Sequence, residues 1–135
     1  MRFFTFAFVA AFLPSMAMAQ TNPIRTPVQR FDIVPAKSVA RVEMVRVDFL
    51  PGQQMPEHMH TVPVVCFVSK GAFLVSIGTA PVRRVELGQT TLEPAKTIVH
   101  FFRNASSKEP AQLNCAFLAG NTDQELSVML HPVSK

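Results

Sequence analysis

Apolar and polar residues alternate along much of the chain with the period of β-strands. Val45, Val47 and Phe49 are each separated by a polar residue, which predicts a strand with one buried face. Residues 62–69 are almost all apolar and rich in β-branched side chains, so we expect a strand buried on both faces. Further short strands are predicted at 72–77, 82–87, 90–93, 97–103 and 111–119, and residues 125–130 fit either a strand or a short helix.

Turn signals separate these segments. After the N-terminal segment, no run of apolar residues with helical spacing is long enough to predict a helix. Pro51-Gly52 and Lys70-Gly71 mark two of the turns. Many short strands with turns between them are typical of a β-sandwich or a β-barrel. The chain has 135 residues and 48% of them are hydrophobic, enough for one domain with a real core. We therefore predict a single all-β domain over residues 41–135.

The N-terminal residues have the pattern of a secretory signal peptide. Arg2 precedes an apolar run over residues 3–13, and Ala17-Met18-Ala19 offers a small-residue cleavage site before Gln20. The run is shorter than the ~20 apolar residues of a membrane-spanning helix. We expect cleavage after Ala19, no stable membrane anchor afterwards, and a secreted protein, periplasmic if the source is Gram-negative.

Residues 20–40 contain Pro23, Pro27 and Pro35 and are predicted to form an extended N-terminal arm.

The charge distribution argues against one class of partner. The net charge of the whole chain is +4, but the basic residues are dispersed, which argues against nucleic acid as a partner. A small-molecule substrate or ligand is the expected partner.

Histidine side chains are the candidate metal ligands. His58 and His60 are two residues apart, so on a strand their side chains point to the same face and form half of a metal site. A pair with this spacing is weak evidence by itself, because surface strands also carry it. His100 lies on a later predicted strand, and His131 is read as an incidental exposed residue.

The spacing around these histidines resembles two sequence motifs of the cupin superfamily. Gly52, five residues, His58-Met59-His60, ten residues and Gly71 resemble the first motif; Gly88, five residues, Pro94, His100 and Asn104 resemble the second. The resemblance spans residues 52–104. It implies a jelly-roll barrel (a double-stranded β-helix) whose histidines face the interior and bind a metal ion. Small cupins commonly pair, so it also implies a homodimer.

Three departures from the cupin motifs affect the expected site. Val64 stands where the first motif has a metal-binding glutamate, and Lys96 stands where the second has glycine. One extra residue separates Pro94 from His100, so a bulge is expected in the strand that leads to it. The resemblance thus implies a three-histidine site of His58, His60 and His100. Glu57 and Glu93 are considered as hydrogen-bonding partners of the ligands or as substitute ligands.

The expected cofactor is one divalent metal ion: iron, manganese or zinc. Facial ligand sets with open positions serve non-haem iron oxygen chemistry and zinc-bound water equally. Copper is an alternative, because Met55, Met59 and Cys66 offer soft donors near the histidines. Plausible apolar walls of the pocket are Val62, Val64, Cys66, Val75 and Phe102.

Cys66 is expected to share the inward face of Val64, and Cys115 lies on a strand that runs beside it in cupins. A disulfide and two buried thiols both remain open.

Three functions follow from the sequence. The first is a metal-dependent enzyme, for which a three-histidine dioxygenase is preferred to an isomerase or a hydrolase. The second is a barrel that binds a small ligand or a metal without turnover, and the third is an inert interaction module.

Overall fold

The computed structural model describes residues 23–130, and this part of the chain is built from antiparallel β-strands. The predicted signal peptide and His131 lie outside it. No helix in residues 23–130 has the length and apolar character needed to cross a membrane. The strands are β1 (Arg41–Phe49), β2 (Gln54–Met55), β3 (His58–His60), β4 (Val64–Lys70), β5 (Phe73–Ile77), β6 (Arg83–Val85), β7 (Thr90–Glu93), β8 (Ile98–Asn104), β9 (Ala111–Ala119) and β10 (Ser127–Met129).

The strands form two sheets. One has four strands in the order β1-β9-β4-β7, and the other has the order β10-β3-β8-β5-β6, with β2 also paired to β8. Most paired strands are far apart in the sequence, as in a jelly roll. The all-β prediction is confirmed, and residues 125–130 contain a strand rather than a helix.

The hydrophobic core lies between the inner faces of the two sheets. The ring of Phe49 on β1 packs edge-on against Phe73 on β5, with their centroids 5.1 Å apart, and Phe102 on β8 lies beside both. Val68 and Leu113 extend the core within the four-stranded sheet. Burying apolar side chains from both sheets is what holds the layers together.

Strand β4 differs from its prediction. Val64, Cys66 and Val68 are buried, but Phe67 on the opposite face is 42% exposed. The expectation of burial on both faces is therefore wrong. The reason is that in residues 23–130 no helix or second sheet covers the outer face of the four-stranded sheet, so its apolar residues stay partly in contact with water.

Residues 23–40 contain neither helix nor strand. The segment is fastened near its end, where Lys37 forms an ion pair of 2.6 Å with Asp123 and the backbone N–H of Ala40 donates to the carbonyl of Ala119.

Candidate metal centre

Two histidines and one glutamate converge inside the barrel. The side chains of His58, His60 and Glu93 are all buried, with 5%, 7% and 3% of their residue surface exposed. Glu93 Oε2 lies 2.8 Å from His60 Nε2 and 3.6 Å from His58 Nε2. One ligand atom from each residue can be chosen so that all lie within 4.8 Å of one another. These separations suit a single metal ion held by three protein ligands.

The cluster joins the two sheets. His58 and His60 lie on β3 of one sheet, and their two-residue spacing does place both rings on the inner face, as the sequence predicted. Glu93 is the last residue of β7, at the edge of the other sheet. In the β4–β7 pair it lies directly opposite Val64.

Hydrogen bonds at the far ring nitrogens fix the orientation of both imidazoles. His58 Nδ1 lies 2.8 Å from the carbonyl oxygen of Pro56, which can only accept, so Nδ1 carries a hydrogen and donates it. His60 Nδ1 is 2.9 Å from Ser127 Oγ, on the strand that pairs with β3. Each ring therefore turns its Nε2 towards Glu93. Partners of this kind usually hold metal-binding histidines in position.

The charges within the cluster are coupled. Burial acts to lower the pKa of His58, but hydrogen bonds to Glu93 and Pro56 and the negative charge of Glu93 outweigh it, so the pKa is raised above 6.5. Burial acts to raise the pKa of Glu93, yet its contacts with His58 and His60 lower it below 4.5. In the metal-free protein, the Glu93 carboxylate and the His58 imidazole therefore each favour the charged form of the other.

His100 does not join this cluster. Its side chain is 46% exposed, and its Nδ1 contacts the carboxylate of Glu57 instead. The cause is the predicted bulge. Ser76 pairs with Phe101 and Ile77 pairs with Val99, so His100 is the extra residue of β8 without a partner on β5. Val99 takes the inward position opposite His58.

The three-histidine set expected from the sequence therefore differs from the structure. One additional residue in a strand reverses the face to which a side chain points, and Glu93 occupies the third place. Glu57, the other acidic candidate, lies with His100 outside the cluster. The pairing of Glu93 with Val64 was the signal that sequence reasoning missed, because it becomes visible only when β7 is aligned with β4.

A disulfide joins Cys66 and Cys115, which are directly opposite each other in the β4–β9 pair. This confirms one of the two alternatives left open by the sequence. Cys66 Sγ also lies 3.6 Å from Glu93 Oε1. A sulfur in a disulfide has no hydrogen to donate, so this approach is a contact and not a hydrogen bond.

The cluster borders a small cavity of about 60 Å³. Val64, Cys66 and Phe102 line it, as predicted, whereas Val62 and Val75 are buried in the core away from it. A volume of this size holds a few water molecules or a ligand of a few heavy atoms. The walls are mainly apolar; the lining residues are Val47, Phe49, Met55, His58, His60, Val64, Cys66, Glu93, Phe102, Leu113, Cys115 and Phe117.

Of the soft donors, Met55 lines the cavity, whereas Met59 does not. Met59 sits between the two histidines on β3, so alternation turns it to the other face.

No family model and no curated protein sequence matches the chain. Solved structures do match. Oxalate oxidase in complex with the substrate analogue glycolate is 29% identical, with a TM-score of 0.56 over 66% of this chain and 46% of that chain. This chain thus spans about half the length of oxalate oxidase.

Two cupin structures match with lower sequence identity. A cupin-like protein from Thermotoga maritima is 17% identical, with a TM-score of 0.57 over 70% of this chain and 68% of that one. An RmlC-like cupin from Shewanella frigidimarina is 18% identical, with a TM-score of 0.51 over 61% and 69%. At this identity the two likenesses establish the fold.

Proposed function

The chain is a cupin by fold, and we propose that its barrel binds one divalent metal ion through His58 Nε2, His60 Nε2 and the carboxylate of Glu93. The observation that carries the proposal is the convergence of three buried ligand atoms within 4.8 Å at the wall of a cavity. The donor types fit iron, manganese or zinc.

The donor set fits a cation better than it fits a purely structural role. A buried ion pair costs much of what it gains, because both charges lose their hydration. Here the cost includes three polar side chains that face one another across two sheets. A metal ion bound between these side chains would satisfy both Nε2 lone pairs and the carboxylate at once. With two neutral imidazoles and one carboxylate, a divalent ion keeps a net charge of +1, which favours an anionic ligand.

The proposed activity is oxidation of a small oxygen-bearing compound with O₂, the dioxygenase-type reaction expected from the sequence. Two histidines and one carboxylate with open positions are the ligand set of non-haem iron oxygenases. The metal would supply Lewis-acid and redox chemistry. The protein residues would hold it, exclude bulk water with apolar walls, and limit the substrate to a few heavy atoms by the size of the cavity.

Small carboxylic acids are the substrate class that we propose to test first. The structure of oxalate oxidase with glycolate, a small acid, is similar to this chain. Among the described residues no lysine or arginine lines the cavity. A carboxylate would therefore find its positive partner only at the metal, which favours direct coordination over binding by side chains.

A non-catalytic barrel is the second candidate, and one observation favours it. Within residues 23–130, the ionisable side chains that line the cavity are the three proposed ligands themselves, since both lining cysteines are in the disulfide. No separate general acid or base is therefore at hand. In this case the barrel would capture a metal ion or a small metal-bound ligand without turnover.

We also propose that the protein acts in an oxidising compartment outside the cytoplasm. Stable disulfides are formed and kept in such compartments. The Cys66–Cys115 bond supports this location, which the signal-peptide pattern in residues 1–19 predicts independently.

The experiment is metal analysis by mass spectrometry on residues 20–135, after incubation with iron, manganese or zinc and removal of the excess. We expect about one metal per chain in the wild type and little in Glu93→Gln or His60→Ala. The matched control is His100→Ala, which removes a histidine outside the cluster and should keep the metal. Equal metal content in all four proteins, or none in the wild type, would overturn the proposal.

Oxygen uptake separates the two candidates. Consumption of O₂ by the iron-loaded or manganese-loaded wild type with glycolate or oxalate, lost in Glu93→Gln, would support the enzyme. Metal binding without uptake across a panel of small acids would support the non-catalytic barrel.

A further inference from the structure

We propose that the Cys66–Cys115 disulfide controls a second form of the metal site, in which reduced Cys66 becomes an additional ligand beside His60 and Glu93. The inference rests on the proposed function, because it adds a sulfur donor to the same centre. In its oxidised form the site has nitrogen and oxygen donors only. In its reduced form it would also have a thiolate and would favour thiophilic ions such as Zn²⁺ and Cu⁺.

The position of Cys66 supports this role. Its Sγ lies 3.6 Å from Glu93 Oε1, and the other oxygen of the same carboxylate lies 2.8 Å from His60 Nε2. Cys66 is buried, and it lines the same cavity as the histidines. A thiol set free here would adjoin one ligand of the proposed centre directly.

The topology distinguishes the two cysteines. Cys66 lies on β4, which pairs with β7, the strand of Glu93. Cys115 lies on β9, which is separated from β7 by β4. We therefore assign the ligand role to Cys66, and we assign to Cys115 the role of the partner that holds the sulfur in the disulfide.

The chemical step is a two-electron reduction by a dithiol. The S–S bond breaks, each cysteine gains one electron and one proton, and the dithiol is oxidised to its own disulfide. A disulfide sulfur carries no charge and is a poor ligand, whereas a thiolate is a strong ligand for soft ions. On metal binding, the proton of the Cys66 thiol leaves to solvent.

The test uses Co²⁺ as a spectroscopic substitute for Zn²⁺, since a cobalt–thiolate bond gives an intense charge-transfer band in the near ultraviolet. Cys66→Ser and Cys115→Ser form a matched pair, because both lose the disulfide and they differ only in the cysteine that remains. We expect the band in cobalt-loaded Cys115→Ser and not in Cys66→Ser. The oxidised wild type should bind cobalt without the band and should gain it after reduction by a dithiol that is then removed.

Zinc affinity gives a second measurement. Loss of even a hydrogen-bonding partner of a ligand costs roughly 10–100-fold in metal affinity, so we expect Cys115→Ser to bind zinc at least about tenfold more tightly than Cys66→Ser. The reduced wild type needs no substitution, so it tests the inference even if a serine variant fails to fold.

The outcomes separate this inference from the proposed function. Cobalt bound by the oxidised wild type, with no band in either the reduced wild type or Cys115→Ser, would overturn the inference alone. A band that persists when Glu93→Gln and His60→Ala are added to Cys115→Ser would also overturn it, because the thiolate would then bind metal elsewhere. Failure of the oxidised wild type to bind cobalt would contradict the proposed function.

Discussion

Glu93 on β7 lies directly opposite Val64 on β4, and both side chains line the same cavity. Val64 occupies the position at which the first cupin motif has its glutamate. Side chains directly opposite in an antiparallel pair lie on the same face with Cβ atoms about 4.5–5.5 Å apart. A carboxylate on β7 can therefore reach the space that one on β4 would fill.

Exchange of the two residues tests this relationship. Glu93→Val alone should abolish metal binding, because it leaves two histidines without an acidic ligand. The double variant Val64→Glu with Glu93→Val should restore about one metal per chain, because the carboxylate returns to the same space from the adjacent strand. Metal content after reconstitution measures both. A double variant that folds but binds no metal would show that the two positions are not equivalent.

Ser127 should tune the affinity of the centre without supplying a ligand. It lies opposite His60 in the β3–β10 pair and contacts Nδ1 of that ring. We expect Ser127→Ala to weaken Zn²⁺ or Mn²⁺ binding by roughly 10–100-fold while the stoichiometry at saturation stays at one. Titration calorimetry gives both values. Ser69→Ala, which removes a hydroxyl bonded to Gln112 outside the cavity, is the control and should leave affinity unchanged.

The metal-free protein should owe pH-dependent stability to the cluster. The lowered pKa of Glu93 contributes stability above pH 4.5, which is lost as the pH falls through the folded-state pKa. The raised pKa of His58 contributes stability below pH 6.5, which is lost as the pH rises through its folded-state pKa.

The difference in unfolding free energy between wild type and Glu93→Gln should therefore be largest between pH 4.5 and 6.5. Denaturant titrations of both metal-free proteins across pH 3–9 measure it. Parallel curves over this whole range would contradict the coupling.

Lys96 is predicted to be a site of backbone strain. It has a φ of 58°, in the left-handed region, and it stands where the second cupin motif has glycine. Its backbone N–H donates to the carbonyl of His60, so the turn is tied to β3. Lys96→Gly should stabilise the protein by about 1 kcal/mol because glycine adopts this conformation freely. Thermal unfolding measures the gain, and Lys96→Ala, which keeps the strain, is the control. Equal unfolding temperatures for Lys96→Gly and Lys96→Ala would contradict this account.

The all-β fold could be predicted from the sequence because alternating apolar and polar residues and turn residues are local signals. The predicted strands at 90–93 and 111–119 match β7 and β9 at both ends. The same-face position of His58 and His60 followed from their spacing alone. The expectation failed at His100, where a single extra residue decides which face a side chain takes, and only the pairing with β5 locates the bulge.

Glu93 was harder still to identify as a member of the cluster. Its place depends on β7 running beside β4 and on β3 approaching from the other sheet. Glu93 is 29 positions from Val64 and 33 positions from His60, and no local pattern encodes contacts at such separations.

The most direct test is a crystal structure of the protein soaked with Mn²⁺ or Zn²⁺, with the metal located by its anomalous scattering. We predict one strong anomalous peak inside the barrel, within about 2.0–2.2 Å of His58 Nε2, His60 Nε2 and a carboxylate oxygen of Glu93. A peak at the exposed His100–Glu57 pair, with none between the two sheets, would contradict the assignment of the centre.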